Sequence, residues 1–200
     1  MGQGMPLENC RYWIFDMDGT LTLPVHDFEA IRRQIGIPSG APILEAIAQM
    51  PRAEATRVAH RLHDLEMELA YRAQPQPEVK NVLEALVHQG RELGILTRNG
   101  REITRATLEA TGLEKYFDRE SVICRDTCLP KPRPDGVYHL LKRWGAAKEE
   151  TVIVGDYLYD VQAGFEAGIR TVHFDCQGLF PWPEYTHHRI TRLGDLKGMI

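Results

Sequence analysis

Asp16 follows the β-prone run Tyr12-Trp13-Ile14-Phe15, and Asp18 stands two residues on, in the turn-forming stretch Asp18-Gly19-Thr20. Thr97 follows the apolar run Leu93-Gly94-Ile95-Leu96, and Asp156 and Asp160 follow Thr151 to Val154. Lys131 lies in the proline-flanked loop Leu129-Pro130-Lys131-Pro132. Brought to one rim, these carboxylates would repel, and their pKa values would rise unless a cation joined them. Oxygen donors with no His or Cys beside them select a hard cation, which points to Mg²⁺. Such an ion beside one lysine and one hydroxyl is a receptor for a phosphate group. Each residue alone has a plainer explanation. Asp18-Gly19 is an ordinary turn pair, Thr97 and Asp160 suit helix caps, and a lysine between prolines suits an exposed loop.

The elements around these residues decide whether they meet. Val79, Val82, Leu83, Leu86 and Val87 predict a helix ending at Gly90, and Arg101 to Thr111 predicts another stopped by Gly112. Val137, Leu140, Leu141 and Trp144 mark a third helix, and Val161 to Ala167 a short fourth before Gly168. Ser121 to Cys124 and Thr171 to Phe174 add strands, for five in all. This alternation predicts an α/β, Rossmann-like parallel sheet with helices on both faces and right-handed crossovers. Ligands of such sheets bind beyond the carboxyl ends of the strands. The six residues are therefore expected to converge there.

Leu23 to Gln76 has a different character. Phe28, Ile31 and Ile35 repeat at helical spacing, as do Ile43, Ile47 and Met50. Ala55, Val58, Leu62, Leu65 and Leu69 predict one long amphipathic helix, and Pro24, Pro75 and Pro77 bound the segment. It reads as a small all-helical insertion after the first strand. The expected organisation is a core of residues 1–22 and 77–200, with 23–76 as a separate helical unit.

Bulk properties exclude several classes. The 200 residues suit one domain with an insertion, and 43% hydrophobic with 26% charged residues is ordinary for a globular chain. A formal charge of −4 offers no basic surface for nucleic acid, and no apolar run is long enough for a membrane span. The opening MGQGMPLENCRYW carries no signal-peptide pattern, and Pro6 breaks the myristoylation motif. A cytoplasmic protein, monomeric or homodimeric, is expected. Cys10, Cys124, Cys128 and Cys176 form no C-x-x-C pair and are expected to be reduced thiols packed as small hydrophobes. His60 with His63, and His187 with His188, fall short of a zinc set.

Asp16-Met17-Asp18-Gly19-Thr20, Thr97, Lys131 and Gly155-Asp156-Tyr157-Leu158-Tyr159-Asp160 resemble the four ordered motifs of the haloacid dehalogenase-like hydrolases. Within that superfamily the chain is most similar to the phosphoglycolate-phosphatase-like members, whose helical cap occupies the place of Leu23 to Gln76. The resemblance implies a Mg²⁺-dependent phosphatase acting on a small phosphorylated metabolite such as 2-phosphoglycolate. Asp16 would be the nucleophile that forms an aspartyl-phosphate, and Asp18 the general acid and then the base. Thr97 and Lys131, with Arg98 beside them, would hold the phosphate. The metal would be bound by Asp16, Asp156 and the main-chain carbonyl of Asp18, while Asp160 would bind through water or orient Lys131. A sugar phosphomutase on the same core is the alternative. Asp18 and Asp156 argue against a dehalogenase, and the insertion has no lysine for phosphonatase chemistry. Arg32, Arg33 and Arg98 are candidates to meet a substrate carboxylate, and Tyr157 and Tyr159 to line the entrance.

Overall fold

The computed structural model describes residues 6–25 and 27–200. Residues 1–5, part of the stretch read for targeting signals, and His26 of the insertion lie outside the described residues. A six-stranded, all-parallel sheet has the order β3 (Val122–Ile123), β2 (Glu92–Leu96), β1 (Tyr12–Phe15), β4 (Thr151–Gly155), β5 (Arg170–Phe174), β6 (His188–Ile190). β1 is central because nearly every one of its side chains is apolar: Trp13 and Phe15 point into one buried layer and Ile14 into the other. β4 matches it in register, with Val152 and Val154 on the first side and Ile153 on the second. Each side chain of this kind contributes about 1.5–3 kcal/mol through burial.

The insertion holds α1 (Phe28–Ile35), α2 (Ile43–Ala48) and α3 (Arg52–Ala70). Asp27 starts α1 by accepting from Ala30 N–H at 2.9 Å, and Gly36 ends it in the left-handed conformation that a glycine adopts without cost. Ile31, Ile35, Ile47, Val58, Leu62 and Leu65 give these helices an apolar cluster of their own. The two chain segments entering and leaving the unit run side by side. Leu23 N–H donates to Gln74 C=O and Gln76 N–H to Leu21 C=O, both at 2.9 Å. At its far end α3 packs on the core, where Ala70 meets Ile103 and Ala106.

The core helices are α4 (Val79–His88), α5 (Arg101–Thr111), α6 (Asp135–Trp144) and α7 (Leu158–Ala167). Leu83 and Leu86 of α4 and Leu108 of α5 cover the Trp13 side of the sheet, and Val137 and Leu140 of α6 cover the Ile14 side. Three details depart from the sequence expectation. A sixth strand, β6, extends the sheet; the third strand is only two residues long; and α7 begins at Leu158, before the apolar spacing starts. Cys10 and Cys124 are buried thiols as expected, whereas Cys176 is exposed on the loop after β5. Among the described residues no helix is long and apolar enough to cross a membrane.

Candidate active site

The carboxyl end of β1 delivers the first two carboxylates. Met17 is fully buried, and it pins the turn so that Asp16 and Asp18 flank it and both face the same rim. Gly19 follows with φ +92°, and a Cβ there would lie 2.3 Å from Asp156 Oδ2, so only glycine satisfies both backbone and space. Thr20 then donates its hydroxyl to Asp156 Oδ1 at 2.8 Å, joining the loop after β1 to the loop after β4. Asp160 lies in the first turn of α7, where its Oδ2 accepts from Tyr157 N–H at 3.0 Å. It is a helix cap and a site residue at once.

Lys131 is no loop lysine in solvent. It is 2% exposed, and its ammonium donates to Asp16 Oδ1 and, at 2.5 Å, to Asp160 Oδ1. Burial disfavours its charge, but Asp16 and Asp160 outweigh that and hold it well above the ordinary lysine range. Burial, and then the charge of Asp160, push the Asp16 carboxyl upward, with Lys131 opposing. The same two causes raise Asp156 to about 7, although the Thr20 hydrogen bond works against them. One oxygen from each of Asp16, Asp156 and Asp160 falls within a mutual separation of 4.8 Å. With all three ionised and one ammonium among them, the cluster carries two negative charges in excess. That all-oxygen, charge-deficient set suits a hard divalent cation.

Asp18 stands outside this trio. Its Oδ2 accepts from the side chain of Asn99 at 2.6 Å, which leaves it on the cavity side of Asp16. Thr97 is buried at the end of β2, where its hydroxyl accepts from Asn99 N–H at 3.1 Å; the residue preceding α5 is Gly100, so Thr97 caps no helix. Above these groups is a cavity of about 340 Å³. Its floor includes Asp16, Asp18, Thr97 and Lys131, and α1 to α3 roof it through Phe28, Ile31, Ile43 and Leu62.

The profile of the haloacid dehalogenase-like hydrolases matches residues 23–174. A phosphoglycolate phosphatase of Aquifex aeolicus is 30% identical over 179 residues, 80% of this chain and 83% of its own. The pyrophosphatase PpaX of Oceanobacillus iheyensis is 27% identical over 176 residues, 80% and 81% of the two chains. The solved structure of a haloacid dehalogenase-like family protein, SP0104 of Streptococcus pneumoniae, superposes with a TM-score of 0.71 at 18% identity, covering 96% of this chain and 98% of that one. This chain belongs to the haloacid dehalogenase-like hydrolases.

Within this hydrolase the side chains read from sequence occupy one rim, but not in equivalent positions. Asp16, Asp156, Asp160 and Lys131 form the charged cluster, and Asp18 and Thr97 stand beside it. Arg98 reaches the cavity wall, yet its guanidinium is engaged. It donates to Lys131 C=O and to both oxygens of Glu45, at 2.8 and 3.0 Å, and lies 5.0 Å over the Tyr159 ring. Arg32 also lines the cavity, while Arg33 is exposed. Tyr157 and Tyr159 form an edge-to-face pair at the wall. Thr20 was read only as part of the first motif, without its bond to Asp156, and Asn99 and the Glu66–Arg125 pair were not singled out in the sequence. Asn99 carried a usable signal, since it lies two residues beyond Thr97 in the same strand-end loop. Glu66 and Arg125 carried none, because they meet across 59 residues.

Proposed function

We propose that this hydrolase is a Mg²⁺-dependent phosphatase that cleaves small phosphate monoesters through an aspartyl-phosphate on Asp16. The observation that carries the reading is the pairing of two strand-end carboxylates in different states of engagement. Asp16 is clamped by the Lys131 ammonium, and Asp18 is hydrogen-bonded by Asn99 and faces the cavity. An oxygen of Asp16 attacks phosphorus, the bond to the ester oxygen breaks, and Asp18 gives its proton to the departing alkoxide. Asp18 then takes a proton from water as the water oxygen attacks phosphorus, and the Asp16–phosphorus bond breaks to release phosphate.

Thr97 and Lys131 are the groups suited to hold the phosphoryl oxygens; Arg98, expected to join them, stands at the wall with its guanidinium already held by Glu45 and Lys131 C=O. Asp16, Asp156 and the Asp18 carbonyl would bind Mg²⁺, which when bound offsets the charge of phosphate and carboxylates together. Asp160 positions Lys131. Residues 23–76 serve as a cap that shields the reacting groups from water, tethered by the paired strands at Leu21–Leu23 and Gln74–Gln76.

The test is phosphate release from a panel of monophosphates, including 2-phosphoglycolate, with pyrophosphate alongside, in Mg²⁺ and in EDTA. Release that needs Mg²⁺ supports the reading. Release undiminished in EDTA, or none from folded protein, overturns it.

A further inference from the structure

Three arginines line the cavity above the reaction centre: Arg32, Arg98 and Arg125. On composition alone they would make an anion receptor. The structure shows each already matched to a carboxylate of the helical unit. Arg32 pairs with Glu29 at 2.8 Å and also donates to Ala41 C=O at 2.8 Å. Arg98 is held by both oxygens of Glu45. Arg125 forms a two-pronged pair with Glu66, at 3.1 and 2.8 Å, and Glu66 is only 8% exposed. A substrate carboxylate approaching any of these guanidinium groups meets a glutamate that already matches its charge, and must either share the arginine with it or displace it. At Arg125 the displaced Glu66 would be left buried and unpaired, which is the costly outcome for a charge. The remaining wall is uncharged and largely apolar: Phe28, Ile31, Ile43, Leu62, Tyr157 and Tyr159.

From this we propose that the leaving group of the substrate is an uncharged alcohol with an apolar face, and that Glu45 and Glu66 exclude esters whose leaving group carries a carboxylate. The inference rests on the phosphatase reading above and narrows it. Arginines that could bind a short phosphorylated acid are present in this wall but neutralised. Rejection here comes from Glu66, which lines the cavity, and from Glu45, which reaches it only through its hold on Arg98.

The experiment compares glycerol 3-phosphate with 3-phosphoglycerate, primary esters of the same carbon skeleton that differ in the leaving group's charge. Their kcat/KM values are measured with Mg²⁺ for the wild type, Glu66→Gln and Glu45→Gln. Binding of both esters to Asp16→Asn is measured by calorimetry, so that discrimination is read without turnover. The wild type should favour glycerol 3-phosphate by about tenfold or more, the equivalent of 1.4 kcal/mol, because a carboxylate entering this wall loses its hydration and finds no unmatched cation to replace it. Glu66→Gln should shrink the ratio chiefly by improving 3-phosphoglycerate, and Glu45→Gln should act in the same direction. Equal or better use of 3-phosphoglycerate by the wild type overturns the inference, as does a ratio that neither variant moves. If no ester is hydrolysed, the phosphatase reading fails, and the binding ratio alone upholds or overturns the inference.

Discussion

Lys131 is the cation on which three carboxylates depend, and replacing it gives the sharpest test of the site's electrostatics. In Lys131→Met the side chain keeps its approximate length and loses its charge, leaving Asp16, Asp156 and Asp160 within 4.8 Å of one another without an ammonium. Removing one partner of a buried ion pair costs about 3–5 kcal/mol. For a chain of this size each kcal/mol moves Tm by about 2–4 °C, so metal-free Lys131→Met should melt roughly 6–20 °C below the wild type near pH 8. The pH dependence has a definite sign. The folded-state pKa of Lys131 is raised, so its contribution is complete throughout pH 5–8 and cannot itself produce a slope there. Asp16 and Asp156 are raised in the fold as well, so the folded chain binds more protons than the unfolded one, and stability falls as pH rises through their values. Without Lys131 that fall steepens. The deficit should therefore be largest at pH 8, smaller at pH 5, and reduced by Mg²⁺ at pH 8. Differential scanning fluorimetry at both pH values, with EDTA and with Mg²⁺, reads all of this. A deficit under about 2 °C, less than 1 kcal/mol can produce at this chain length, or one equal at pH 5 and pH 8, would mean that Lys131 does not hold the carboxylates together.

Other consequences are as direct. Asp156 titrates at about 7 in the metal-free site, so Mg²⁺ must displace its proton at lower pH. Apparent Mg²⁺ affinity, followed by calorimetry, should drop about tenfold or more per pH unit as pH falls below 7, since Asp16 is raised as well; a flat profile would remove Asp156 from the metal's ligands. Asp156→Ala should weaken Mg²⁺ binding outright, with an unchanged Mg²⁺ dependence of activity as the contrary result. Gly19→Ala places a methyl 2.3 Å from the Asp156 carboxylate at φ +92°, and it should cost stability and most of the activity together; a variant of wild-type Tm and rate would show that the loop relaxes freely. Asn99→Ala removes the hydrogen bond that orients Asp18 and should lower kcat by about tenfold or more with less effect on KM, while a wild-type kcat would mean Asn99 only packs.

How much of this was legible in sequence follows from the range of each interaction. β1 and β4 are buried on both faces, so Trp13-Ile14-Phe15 and Val152-Ile153-Val154 announce themselves as apolar runs. β6 does not, because in His188-Arg189-Ile190 only Ile190 enters the core and the strand is held by its backbone bonds to β5. The start of α7 was hidden for a related reason. It is fixed by the Asp160 side chain on Tyr157 N–H, not by apolar spacing. Strand-end positions made Asp16, Asp18, Thr97, Asp156 and Asp160 visible, since a parallel sheet collects whatever follows its strands. What could not be read was pairing. Glu45 with Arg98 and Glu66 with Arg125 join the insertion to the core through long side chains on separate elements, and no spacing rule links them. Arg98 therefore looked like a free receptor in sequence and is a paired one in the fold.

A phosphoryl group carried on Asp16 would be caught by one acid-quench measurement. The best substrate of the panel, bearing radiolabelled phosphate, is mixed with enzyme and Mg²⁺, quenched within a turnover, and the protein is digested. Acid-stable label is expected on the peptide containing Asp16, with its release by hydroxylamine, and neither label nor turnover in Asp16→Asn. Rapid phosphate release with no label on the protein, or normal turnover by Asp16→Asn, would contradict a phosphoryl group on Asp16.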